Sequence, residues 1–331
     1  MSNPAPLTEI WRGPFEECIH TGHAVICDDT GQIVDAWGDP DAIVMPRSSA
    51  KMIQALPLIE SGAAEAFGLT DIQLALACAS HNGAAIHTDP VTAWLGNLGL
   101  GDDDFRCGPQ MPKDRPAFNH LIRTDTKPCQ MHNNCSGKHA GFLTLSKHLG
   151  GGPEYIDPDH PVQKACLEAF EDTTRENSAG FGIDGCSAPN HACTMHGMAR
   201  AMAGFAAAAN GTDLRHRAAT RLWQAMVDHP DLVAGERRAC TELMRATTEP
   251  VALKTGAEGY FTAILPNRKL GIALKITDGA TRAANCTIAA LLVRLGVLEA
   301  DHPAARRFMN APILNRRGIN TGVIKPAESL L

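Results

Sequence analysis

Hydrophobic and polar positions alternate at both ends of the chain and cluster with helical spacing between them. Near the amino terminus "ECIHTGHAVICDD" and "QIVDAWGD" flank the turn "DDTG", and their alternation and β-branched content predict a hairpin. The pattern then changes. Thr70 and Gln73 form a capping box ahead of "IQLALACA", and Asp89 followed by Pro90 predicts a helix start with proline in its first turn. "SGKHAGFLTLSKHLGG" ends on glycines as helices do, and "HPVQKACLEAFEDTT", "HACTMHGMARAMAGFAAAA" and "LRHRAATRLWQAMVD" continue the series. Strand character returns with "VALKTG", "GYFTAIL", the turn "PNRK" and "LGIALKITDG". A helix at "RAANCTIAALLVRLG" and a last strand at "TGVIKP" follow.

Strands at about residues 15–40 and 250–325 around a helical middle at about 48–245 predict an α+β fold. Its antiparallel sheet is built from both termini and flanked by helices, in a single catalytic domain over residues 1–331. Composition narrows the function. Hydrophobic residues make up 44% and charged residues 20%, as in a globular protein, and a net charge of −6 without basic runs argues against nucleic acid as partner. Nothing approaches the roughly 18 uninterrupted apolar residues of a membrane span, and "MSNPAPLTEIWRG" lacks the features of a secretory signal. Eleven scattered cysteines do not form a disulfide framework, which points to the cytoplasm.

Candidate chemistry starts with Ser48 and Lys51, one helical turn apart at the head of a predicted helix. Alone they read better as a capping serine and a solvated lysine, because such tetrapeptides are common by chance. Ser80 and Asn82 follow just past an apolar helix, and Lys254, Thr255 and Gly256 end a strand. Ser-x-x-Lys, Ser-x-Asn and Lys-Thr-Gly, in that order, are the elements of serine β-lactamases and penicillin-binding proteins. A serine hydroxyl needs a base to become a nucleophile. A lysine serving as that base must be neutral near pH 7, against about 10.4 when free, which takes about 4 to 5 kcal/mol from burial and a neighbouring cation. Ser49 is out of step with the motif and reads as structural.

A second constellation lies in "QMHNNCSGKHAGF" and "GIDGCSAPNHAC". Cys135 and Cys186 each precede a predicted helix, where thiolates are favoured. Two such thiolates invite zinc, with Lys138, His132 or His139 as nearby donors. No Cys-x-x-Cys occurs, and on spacing alone two inert cysteines are the better reading. Asp184 either orients a ligand or forms a turn with Gly185.

Together, "PRSSAKMIQALPL", "ASHNGAAIHTDPV", "HNNCSGKHAGFL", "DGCSAPN", "RACTELM" and "KTGAEGY" resemble the rhizobial-type (class 3) L-asparaginases, from about residue 10 to the end. The resemblance implies the serine β-lactamase-like fold, a homodimer, and hydrolysis of L-asparagine to L-aspartate and ammonia. It implies two Ser-Lys pairs, Ser48 with Lys51 and Ser80 with Lys254, and a zinc ion held by Cys135, Lys138 and Cys186 with Asp184 nearby. Arg47 would bind the substrate α-carboxylate and Asn82 would help hold the substrate, while Cys240 matches a family cysteine outside the metal site. A serine-dependent glutaminase or β-lactam hydrolase on the same fold is an alternative, since one methylene in a pocket is worth only about 1 to 3 kcal/mol. A non-catalytic zinc-binding protein is another.

Overall fold

A computed structural model describes residues 3–331. The described residues divide into two units: those up to 49, 193–207 and 242–331 in one, residues 50–192 and 208–241 in the other.

The first unit is organised by an eight-stranded sheet. Its strands are β1 (Ala5–Arg12), β2 (Phe15–Asp28), β3 (Ile33–Trp37), β4 (Ala252–Thr255), β5 (Tyr260–Leu265), β6 (Leu270–Ile276), β7 (Ala311–Leu314) and β8 (Asn320–Pro326). They run in the order β7-β8-β1-β2-β6-β5-β4, with β3 added to β2 and every pair antiparallel. The two ends of the chain therefore meet in one ladder, Thr8 opposite Pro326 and Ile26 opposite Ile272. The predicted hairpin is β2–β3, and Asp28 makes its turn by accepting the Thr30 and Gln32 N–H groups at 2.9 and 3.0 Å. All six residues of β5 are buried, which a period of two allows only where both faces of the sheet are covered. Helices Met195–Ala207 and Thr281–Arg294 pack on these strands. The helical pattern at 193–207 thus belongs with the sheet. Strands β1 and β7 were not foreseen; Pro4 and Pro6 interrupt the strand signal of the first, and the second is only four residues long.

The second unit is helical around Ser136–Leu149, whose residues 136–146 are buried without interruption, so this helix is covered on all sides. Gly137 lets it approach helix Asp71–Ala77 at backbone distance, since a Cβ there would lie 2.2 Å from Leu76 O. Helix Ala85–Asn97 starts one turn earlier than Asp89–Pro90 predicts, leaving Pro90 inside it. The extra turn carries His87 inward, fully buried with Nε2 2.9 Å from Asp231 O, and tertiary anchoring outweighs the proline signal. Among the described residues no helix is long and apolar enough to cross a membrane.

Candidate active site

In the first unit the chain reaches Ser48 through Arg47, whose φ of +54° lies in the left-handed region disfavoured for a side-chain-bearing residue. A 3₁₀ turn, Arg47–Ala50, follows. Ser49 braces it: its N–H donates to Pro46 O at 3.0 Å and its Oγ to Lys254 O at 2.9 Å. Thr262 Oγ1 lies 3.3 Å from both Ser49 O and Lys254 O. Gly256 completes the fit, because a Cβ there would stand 2.6 Å from Pro46 O and 2.9 Å from Ser49 Oγ. Ser49 is thus structural, as its register implied, and half-buried Ser48 is presented by a turn held through the backbone of β4. Lys254 is fully buried, with Nζ donating to Thr255 O at 2.7 Å.

In the second unit Lys51 opens helix Lys51–Glu60 and is 1% exposed. Its Nζ donates to Ala79 O, to Ser80 Oγ at 3.1 Å and to Cys135 Sγ at 3.2 Å. Spacing associated this lysine with Ser48; its contacts within the second unit are with Ser80 and Cys135. The Ser80–Asn82 segment is pinned residue by residue. Ser80 N–H donates to Val233 O at 2.8 Å and His81 N–H to Asn134 O at 3.2 Å, while Asn82 O accepts the Lys113 and Asp114 N–H groups at 2.8 and 2.9 Å. The His81 ring adds a bond, Nε2 to Ser136 Oγ at 2.9 Å, and it stacks on His87 with centroids 4.8 Å apart.

Cys135 immediately precedes helix Ser136–Leu149, as expected. Cys186 does not sit at a helix start; it lies in the turn of a two-strand ribbon, Phe181–Ile183 with Pro189–His191. The short loop closes on itself, Asp184 N–H donating to Ala188 O and Ser187 N–H to Asp184 O, with Ser187 at φ +70°. The two sulfurs are nevertheless brought together. Lys138 Nζ donates to Cys186 Sγ at 3.1 Å, and Cys135 Sγ donates to Asn134 Oδ1 at 2.9 Å. The neighbouring Cys135 thiol holds the Cys186 thiol well below the ordinary value, against its burial and with help from the Lys138 charge, and Cys186 together with burial pushes Cys135 well above. Burial works against the charge on Lys138, but the Cys186 and Cys135 sulfurs and the Asp184 carboxylate outweigh it and raise its pKa. His132 is engaged elsewhere, its Nδ1 3.2 Å from both the N and Sγ of Cys129, and His139 Nδ1 lies 2.8 Å from the Tyr155 hydroxyl. Cys240 is buried in helix Ala239–Ala246.

Among the described residues no three His, Cys, Asp or Glu side chains converge to hold a metal, so a metal here requires the lysine. Two sulfurs and an amine converging in a buried site are a donor set that suits zinc. Lysine ligates only as the free amine, so the ion would displace the Lys138 proton.

Sequence reading missed the side chains that lock this arrangement, among them His81, Ser136 and Tyr155. No spacing rule links them, since their contacts span tens of residues.

The chain is an α+β protein whose second unit holds buried lysine, serine and cysteine side chains in mutual contact. The chain belongs to the L-asparaginase II family, whose model matches residues 8–326. Among solved structures it is similar to Mglu in its tris and glutamate form, with TM-score 0.47 and 14% identity over 90% of this chain and 64% of that one. It is also similar to a β-lactamase from Mycobacterium bovis, with TM-score 0.44 and 14% identity over 82% and 94% of the two chains. A penicillin-binding protein homologue from Caulobacter crescentus gives TM-score 0.39 and 13% identity over 80% and 90%. The chain spans less than two thirds of the length of Mglu. No curated protein sequence matches it.

Proposed function

We propose that the protein is an L-asparagine amidohydrolase working through an acyl-enzyme. The observation that carries the reading is the contact of buried Lys51 Nζ with Ser80 Oγ, 3.1 Å, in a chain of the L-asparaginase II family. An amine with its charge so placed in the interior is costly unless it is used or paired, and its partners here are a serine, a carbonyl and a thiol. Ser48, three residues before Lys51 in the chain, attacks the side-chain amide carbon with Lys51 accepting its proton. The C–N bond then breaks, and Ser80 and Lys254 relay a proton to the departing ammonia. Water hydrolyses the β-aspartyl ester, restoring the Ser48 hydroxyl and releasing aspartate. Arg47 binds the α-carboxylate through its two-pronged guanidinium, and Asn82 holds the amide end. Cys135, Lys138 and Cys186 would hold zinc, with Asp184 orienting the set. Bound there, the ion would supply Lewis-acid polarisation. The reading includes a homodimer, which sedimentation equilibrium checks.

Ammonia release from L-asparagine and L-glutamine, assayed side by side on purified protein, tests the assignment. Release from asparagine in clear excess is expected. Equal release from glutamine would make the enzyme a glutaminase with the same machinery, and release from neither by folded, zinc-loaded protein would end the hydrolase reading.

A further inference from the structure

Strand β2 carries a second set of reactive side chains, all within the first unit. Cys18 and His20 stand two residues apart, so they share a face of the strand. Their partners in β1 are Ile10 and Thr8, and Thr8 Oγ1 donates to Ala283 O of helix Thr281–Arg294 at 3.2 Å. This is therefore the face on which the helix begins. His20 is buried and Cys18 half-buried. His20 Nδ1 lies 2.6 Å from Asp278 Oδ2, and its Nε2 lies 3.0 Å from Arg282 Nε and 3.9 Å from Cys18 Sγ.

These neighbours fix the ring proton. A guanidinium only donates, so Nε2 accepts from Arg282; a carboxylate only accepts, so Nδ1 carries the hydrogen. Burial opposes the charge on Asp278, but the Ala280 N–H at 2.9 Å, the His20 ring and the Arg282 charge outweigh it and lower its pKa. His20 is thus a neutral imidazole oriented by a carboxylate, with its basic nitrogen on the side of a thiol. Thiol, base and orienting carboxylate in this order activate a cysteine, and an adjacent guanidinium stabilises the thiolate. The 3.9 Å separation is looser than a working contact, as resting sites often are.

Of the eleven cysteines, only Cys18 and Cys129 are not buried. Cys129 also has an imidazole beside it, but His132 Nδ1 there accepts the Cys129 N–H at 3.2 Å. Burial and the Asp102 carboxylate raise that thiol, although the Met131 and His132 N–H groups oppose them. The Cys18 cluster shares no residue with the sets around Ser48 and Cys135.

We propose that Cys18, His20 and Asp278 form a second nucleophilic constellation, in which Cys18 exchanges with small organic disulfides such as oxidised glutathione. His20 Nε2 takes the thiol proton, and the exposed Arg282 turns from the imidazole to the sulfur. The thiolate attacks one sulfur of the disulfide, and the new S–S bond forms as the old one breaks. The departing thiolate takes the proton from His20. One disulfide is consumed, and one mixed disulfide and one free thiol are made.

Incubation of the full chain with oxidised glutathione at pH 7, followed by peptide mass spectrometry, tests this. Cys18 should be modified about 10-fold faster than Cys129, because an ordinary thiol is only about 3% ionised at that pH. His20→Gln keeps a donor for Asp278 and an acceptor for Arg282 but removes the base. It should slow Cys18 about 10-fold and leave Cys129 unchanged. A histidine that only ties the strand to the helix predicts the opposite sign, since loosening that face exposes Cys18 and speeds its reaction. Asp278→Asn, at a side chain 51% exposed, keeps the base without its orienting charge and should slow Cys18 about threefold. Cys18 reacting no faster than Cys129, or as fast in His20→Gln as in the parent, overturns the proposal. Should His20→Gln lower the melting temperature, Asp278→Asn decides: slower exchange supports the constellation, and unchanged or faster exchange overturns it.

Discussion

Ser48 and Lys254 are held in place differently from Lys51, Ser80, Cys135 and Cys186. In the first unit the Arg47–Ala50 turn is set by main-chain carbonyls, one bracing serine and the missing Cβ of Gly256. In the second, buried polar side chains add to the main-chain bonds: Lys51 meets Ser80 and Cys135, Lys138 meets Cys186, and His81 ties the Ser80 loop to Ser136. A backbone-built turn should survive the loss of the side chain it presents, because nothing else depends on that side chain. A buried polar network should not, because each deletion leaves a partner unsatisfied in low dielectric. Chemistry and stability should therefore separate in the first unit and travel together in the second.

The largest effect expected is on turnover alone. Ser48→Ala should lower kcat by on the order of 10⁴-fold or more, as for a nucleophile acting within a catalytic set. The melting temperature and zinc content should stay close to those of the parent. Retained activity would remove Ser48 from the mechanism, and a large fall in melting temperature would contradict the backbone-built turn.

Cys186→Ala should do what Ser48→Ala does not. It removes the sulfur hydrogen-bonded to buried Lys138 and should destabilise the fold by about 3 to 5 kcal/mol, in the range for an orphaned buried charge. Bound zinc, measured by elemental analysis, should fall with it. A variant with unchanged chemical-denaturation midpoint would mean that the Lys138–Cys186 contact carries little stability, and the contrast between the units would collapse.

This contrast also explains what was legible in the sequence. β2, β3 and the strands at 252–276 could be read because alternation and turn residues are local signals, and the meeting of the two termini follows from strands at both ends. Ser49 was separable from Ser48 by register. The turn that holds Cys186 was not legible: Asp-Gly-Cys-Ser reads as a loop before a helix, and the ribbon depends on pairing between two three-residue strands. The extra turn that starts helix Ala85–Asn97 was hidden for the same reason, since the His87 anchor lies 144 residues away at Asp231. Lys51 was identified from spacing, but its contact with Cys135, 84 residues on, was not.

A smaller effect should come from Gly256→Ala. The new methyl would meet Pro46 O and Ser49 Oγ, and backbone cannot yield as a flexible side chain does. The expected cost is about 1 to 3 kcal/mol, with kcat reduced because the Ser48 turn shifts, and zinc content unchanged. Parent-like kcat in this variant would mean that the turn is not set from β4.

The smallest effect expected is a pH dependence that belongs mainly to the second unit. Burial drives the His81 pKa well below the ordinary 6.5, and the neighbouring charges of His87, Lys51, Arg238 and His132 push the same way. His87, stacked on it, is lowered by burial although its bonds to Asp231 and Ala84 oppose the shift. The unfolded chain therefore binds more protons than the folded one just below pH 6.5, so stability falls as pH falls. The contribution is whole above that value and is lost progressively as pH drops toward the folded pKa. At pH 6.0 the loss for His81 is only about 0.8 kcal/mol. In the first unit His23 is lowered as well, by burial, but Asp39 pulls it back, and its slope should be shallower. Native-state hydrogen exchange at pH 7.5 and 6.0 distinguishes the two. Amides of the Ser80–Asn82 segment should lose protection on acidification while those of β5 and β6 change less, and His81→Gln should flatten the difference. If the sheet amides lose as much, the buried histidines of the second unit are not its weak point.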